Sequence, residues 1–136
     1  QEKSLPLTGT GDETRDFTYV LDLVQGLIKA AYYEDAIGQA FNLASGKETK
    51  IKDMISMVNN ITGNTAPITE YPPRKWDTKK RLLASIELAG NLIDYKPIIS
   101  FEDGLKANME WFKLNWDKIQ NVADFPIGMS SAVRRK

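Results

Sequence analysis

Between Val20 and Ala31 the apolar residues recur at Val20, Leu23, Val24, Leu27, Ile28 and Ala31, a spacing that lays one stripe along an α-helix. Such a stripe has to be covered by another element, which constrains the fold more than any other feature of the chain. At 136 residues the chain is long enough to bury about two thirds of the surface that its unfolded form exposes. It must hold together by that core, because it contains no Cys. It contains no His either, which removes zinc ribbons, thiolate nucleophiles, haem and iron–sulfur ligation, and every triad that uses imidazole as its base.

Lys and Arg number 18 and Asp and Glu 18, and this balance argues against a nucleic-acid partner. The basic cluster Arg134-Arg135-Lys136 is expected to be solvated. No apolar run approaches the ~20 residues of a membrane span, and no signal-peptide pattern follows Gln1. The opening Gln suggests a piece of a longer protein.

Along the chain, residues 1–14 carry turn chemistry at Gly9, Gly11 and Asp12 and are expected to form an opening loop. The run Ala40-Phe41-Asn42-Leu43-Ala44, closed by Ser45-Gly46, suits a short buried strand. Ile51, Met54, Ile55, Val58 and Ile61 mark a second helix, with Gly63 where a helix commonly stops. Ala66 to Tyr71 can form a strand. Tyr71-Pro72-Pro73-Arg74-Lys75-Trp76-Asp77 is expected to be a shaped loop, because each Pro removes a donor and biases its predecessor toward extended geometry. Ser85 is expected to cap a short helix through Ile93 that ends at Lys96-Pro97. Ser100-Phe101-Glu102-Asp103 resembles a capping box opening a last helix, with Phe101, Leu105, Met109, Phe112 and Trp116 on its core face. The order predicts an α+β fold, or a portion of an α/β protein, with a domain over 1–119 and a disordered tail over 120–136.

Tyr71 and Lys75 have Tyr-x-x-x-Lys spacing, but Pro72 and Pro73 forbid the helical turn that would let the ammonium act on the phenol. Gly9-Thr10-Gly11-Asp12-Glu13-Thr14 begins like a dinucleotide loop, yet it lacks a third Gly and puts two carboxylates where a pyrophosphate would lie. Two other segments offer anion chemistry. Arg15, before the apolar helix, could present its planar fork of donors to a phosphate; on residue types alone, a local pair with Asp16 is the plainer reading. Arg74-Lys75-Trp76-Asp77, with Arg81 four residues on, could hold a nucleotide diphosphate: Arg for phosphate, Asp for ribose hydroxyls, Trp for packing. The plainer alternative is a solvated charge run with Trp76 folded into the core.

The two segments occur together in a recognisable order. Gly9 to Val20, with Asp22, resembles the glycine-turn and Arg-Asp-Phe-x-Tyr-Val signature in the second half of extended short-chain dehydrogenase/reductases, the NAD-dependent nucleotide-sugar epimerases and dehydratases. Phe41-Asn42-Leu43-Ala44-Ser45-Gly46 resembles the family's Phe-Asn-(Ile/Leu)-x-x-Gly segment, Arg74-x-x-Asp77 its Arg-x-x-Asp loop, and the segments Ser85 to Pro97 and Phe101 to Leu105 its closing helices. The resemblance covers residues ~5–116 and implies about four helices with short strands, the C-terminal part of such an enzyme without its dinucleotide-binding (Rossmann) domain. It further implies that Arg15, Arg74 and Asp77, joined by Arg81, hold the diphosphate of a nucleotide sugar. NAD and the catalytic residues would belong to the parent's other half, so these residues are not expected to catalyse alone. The parent would be a cytoplasmic epimerase or dehydratase working through a 4-keto sugar. A decarboxylase or reductase of the same superfamily and a non-enzymatic interaction module are the alternatives. The helix from Val20 would lean on the absent domain, so exposed apolar area and self-association are expected. Trp76 stands where many members have Gly, and Asp94-Tyr95 where Gly-Trp is common, departures that bear on substrate choice rather than on family.

Overall fold

The computed structural model describes residues 3–122. Among them β1 (Pro6–Thr8) and β2 (Thr14–Asp16) precede α1 (Val20–Tyr32), and a 3-10 turn over Glu34–Ala36 follows. Then come β3 (Glu48–Lys50), α2 (Ile51–Thr62), β4 (Thr69–Tyr71), α3 (Glu87–Ile93) and α4 (Phe101–Val122). β1 pairs parallel with β4, Leu7 opposite Glu70. β2 pairs antiparallel with β3, Arg15 opposite Thr49. The other edge of β2 is occupied as well: Thr14 donates its N–H to Lys80 at 2.9 Å and accepts from the Leu82 N–H at 3.2 Å. The chain that follows β4 is thereby tied to the strand that carries Arg15.

The helices follow their local signals. Gly63, at φ 66, closes α2 in the left-handed conformation that an L side chain resists. Ser100 accepts the Asp103 N–H at 3.1 Å, as the capping pattern predicts. α4 runs on to Val122, past the expected end at 119, and the expected disordered tail lies from residue 123 on outside the described residues. Its Leu105, Met109, Phe112 and Trp116 face Val58 and Ile61 of α2 across an apolar groove of about 560 Å³. Among the described residues no helix is long and apolar enough to cross a membrane.

Three local expectations need correction. Phe41 to Ala44 is not a strand. It is tied down by side-chain hydrogen bonds instead of a ladder: the Tyr95 hydroxyl donates to the Ala44 carbonyl at 3.1 Å, and the segment's own Asn42 amide donates to the Ser85 carbonyl at 3.2 Å. The opening segment is not all loop, because Pro6–Thr8 finds a ladder partner in β4, more than 60 residues away. Ser85 is not the cap of α3, which starts at Glu87 behind Ile86; the Ser85 hydroxyl accepts the Glu87 N–H at 3.5 Å. α3 ends at Ile93, as expected, and Asp94 caps it in the left-handed region at φ 50.

α1 turns a narrow side of small and polar residues inward. Asp22 is 3% exposed, and its carboxylate accepts the N–H groups of Ile98 and Ile99 at 3.2 and 3.0 Å. Gly26 lets Leu43 and Tyr95 approach the helix backbone, and Ala30 packs on the core of Ala36, Ala89, Ile93 and Tyr95. The apolar stripe points away: Leu27 is 55% and Ile28 65% exposed.

Candidate functional site

Successive side chains of a strand point to opposite faces, so Arg15 leaves β2 on one side and Thr14 and Asp16 on the other. Arg15 is mostly buried, and its guanidinium donates to the Thr14 carbonyl at 2.7 Å and to the Asp77 carboxylate at 3.0 Å. Asp77 closes a turn by donating its N–H to the Arg74 carbonyl at 3.1 Å. The two segments singled out in the sequence therefore meet through Asp77, with Arg74 exposed on the same turn. Arg15 is not paired with Asp16, contrary to the plainer reading of the sequence.

Asp16 has a different task. Its carboxylate accepts the N–H and hydroxyl of Ser45, the N–H of Gly46 at 3.0 Å and, more loosely, that of Ala84 at 3.5 Å. One side chain thus fixes two irregular segments, 42–46 and 82–85, which with Arg15 and Thr18 wall a groove of about 510 Å³. Nothing in the local spacing marks Asp16 as this anchor, since all its partners are distant in sequence.

Arg81 lies on the Thr14 side. Its Nε and Nη2 donate to the two oxygens of Glu48 at 2.7 Å each, and Glu48 also accepts the Thr14 hydroxyl at 2.6 Å. The Arg81 guanidinium, helped by Thr14, holds the Glu48 carboxyl down at about 2, against its ordinary value of 4.5. Of the four expected ligand residues, Arg15, Asp77 and Arg74 thus cluster around one turn, while Arg81 is engaged by a carboxylate that the sequence did not flag. The loop from Arg74 to Arg81 carries five cations, Arg74, Lys75, Lys79, Lys80 and Arg81, against the single carboxylate of Asp77. Trp76 is not folded into the core: it is 79% exposed.

The Gly9–Gly11 turn is not arranged as a dinucleotide loop. In the Gly9–Gly11 turn the Gly11 N–H that could cradle a pyrophosphate is taken by the Glu13 carboxylate at 2.9 Å. Backbone N–H groups, its own first and then those of Thr10 and Gly11, hold the Glu13 carboxyl below its ordinary value, so it stays charged where phosphate would have to sit.

The fold has close counterparts among solved structures. The epimerase Mth375 of Methanothermobacter thermautotrophicus superposes with a TM-score of 0.87 at 44% identity, over 89% of this chain and 36% of that one. The chain belongs to the extended short-chain dehydrogenase/reductase family of nucleotide-sugar epimerases and dehydratases, and it corresponds to the C-terminal part of its members. Among curated proteins, the UDP-glucuronate 4-epimerase of Thermodesulfobacterium geofontis is 32% identical over 126 residues, which are 90% of this chain and 37% of the relative. The enzyme WbmF of Bordetella bronchiseptica, solved with NAD+ and UDP, is 38% identical with a TM-score of 0.74, over 88% of this chain and 35% of its own. The chain therefore spans little more than a third of the length of the relatives it matches. No protein-family model matches it.

Proposed function

We propose that this chain is the nucleotide-sugar-binding portion of an NAD-dependent epimerase or dehydratase, in which Arg15 and Arg74 hold the substrate's diphosphate and Asp77 its ribose. The observation that carries the reading is the contact of Arg15, which lines the 510 Å³ groove, with Asp77, 62 residues away in sequence. Without ligand, Asp77 balances the charge of Arg15. A diphosphate brings two negative groups to the same fork and frees the carboxylate to accept from ribose hydroxyls. Arg81 stands in the same loop and joins the site if the diphosphate draws it from Glu48.

Binding energy from the nucleotide, remote from the reacting carbon, orients the sugar ring for chemistry carried by other parts of the parent. This reading assigns NAD to those parts too, so the 136 residues are expected neither to bind NAD at micromolar affinity nor to turn over a nucleotide sugar. Epimerisation, dehydration and decarboxylation all need this same binding step. Relatives of each kind resemble the chain, among them the UDP-N-acetyl-alpha-D-glucosaminuronate decarboxylase of Bacillus cytotoxicus at 28% identity.

The test is calorimetric titration of the full-length protein with a UDP-sugar. Arg15→Ala and Arg74→Ala are each expected to weaken binding by about 1.5–3 kcal/mol, the scale of a charge-assisted hydrogen bond, with NAD affinity unchanged. Lys75→Ala is expected to change little. Binding that survives both arginine substitutions overturns the assignment.

A further inference from the structure

We propose that Trp76 is a stacking platform for the base of the bound nucleotide, an inference that rests on the diphosphate reading above. Of the three tryptophans, Trp76 is the most exposed, at 79% against 54% for Trp111 and 38% for Trp116. A Trp ring is among the largest apolar surfaces a chain can bury, so leaving it in water forgoes more than for any other side chain. Its surroundings explain why it cannot retreat. Pro72 and Pro73 stiffen the chain leaving β4, and the hydrogen bond from the Asp77 N–H to the Arg74 carbonyl closes a turn with Lys75 and Trp76 at its corners. The ring thereby sits at the corner of a hydrogen-bonded turn, and a turn formed before binding lowers the entropy lost when a ligand docks on it.

The neighbours say what kind of ligand. Asp77, the next residue, is joined to Arg15 at 3.0 Å, and the loop around it carries Arg74, Lys75, Lys79 and Lys80. With a phosphate at Arg15 and its ribose at Asp77, the residue adjoining Asp77, Trp76, is the exposed ring on this turn that a base could reach. An indole offers that base a π-face and requires no particular hydrogen-bonding edge, because every base can stack. Trp76 therefore raises affinity for nucleotides as a class.

The experiment is titration of the full-length protein with UDP and with ribose 5-diphosphate, which keeps the ribose and diphosphate but has no base. The wild-type protein is expected to bind UDP roughly tenfold or more tightly than ribose 5-diphosphate. Trp76→Ala should erase that advantage without changing affinity for ribose 5-diphosphate, and Trp76→Phe should keep most of it. UDP should quench tryptophan fluorescence in the wild type and not in Trp76→Phe. Arg15→Ala should weaken both ligands alike. If Trp76→Ala weakens both ligands equally, or neither, the platform is wrong while the diphosphate site stands. If the wild type binds neither ligand, the diphosphate reading falls and the platform with it.

Discussion

The Asp16 carboxylate and the backbone of Ser45, 29 residues apart, are joined at 2.9 Å, and the Ser45 hydroxyl and Gly46 N–H converge on the same carboxylate. One acceptor thus takes the end of a segment that has no ladder. Asp16→Asn keeps the shape but turns an NH2 group toward donors, leaving at least one N–H unpaired. It is expected to cost about 1.5–3 kcal/mol of stability and to lower the thermal midpoint by several degrees in calorimetry. An unchanged midpoint would mean that packing and the Tyr95–Ala44 and Asn42–Ser85 hydrogen bonds hold residues 42–46 without Asp16.

Gly26→Ala tests the contact that seats α1. In an isolated helix the change would stabilise by about 1 kcal/mol. Here a Cβ would come within 2.8 Å of Leu43 and 2.9 Å of the Tyr95 ring. Leu43 can rotate, but Tyr95 is buried and tethered through its hydroxyl to Ala44. Overpacking of about 1–3 kcal/mol is expected to outweigh the helix gain. Denaturant unfolding should show a net loss, and a gain would show that the ring yields.

The Glu48 carboxyl titrates at about 2 in the folded chain, below its ordinary value of 4.5. A depressed folded value means that the unfolded chain takes up the proton first, so the contribution is fully present above about pH 4.5 and is lost as pH falls toward 2. The stability advantage of wild type over Glu48→Gln should be constant near neutrality, shrink across that window and be least at its acid end. Asp12 and Glu13, held low by Lys52 and by backbone N–H groups respectively, will keep some acid sensitivity in the variant. Parallel curves over the whole window would remove Arg81–Glu48 as a native interaction.

The outward stripe of α1 is expected to drive association of the chain when nothing else covers it. Val24, Leu27 and Ile28 are all exposed apolar side chains. Light scattering should find self-association of the 136-residue chain that Leu27→Glu with Ile28→Glu abolishes. The thermal midpoint of the monomer should hardly move, because neither side chain is buried. A strict monomer at high concentration in the wild type would count against this.

The sequence by itself determined what depends on neighbours a few residues away. The period of α1 and α2, the stop at Gly63 and the start at Ser100 are local, and so is the loop that Pro72 and Pro73 impose. The ordered run of motifs from Arg15 to Asp77 was also legible, and with it the family. Only the tertiary structure decided the partners. Pro6–Thr8 became a strand because β4 lies beside it, and Phe41 to Ala44 did not because side-chain hydrogen bonds, from Tyr95 to Ala44 and from Asn42 to Ser85, hold it instead. Arg15 chose Asp77 over the adjacent Asp16, because strand alternation turns neighbouring side chains to opposite faces. Likewise α1 showed its apolar stripe in the sequence, but which side would face inward depended on Asp22, Gly26 and Ala30 finding backbone N–H groups, Leu43 and Tyr95 to meet. Periodicity is a property of a segment, whereas a ladder, an ion pair or a close approach is a property of two segments that only folding brings together.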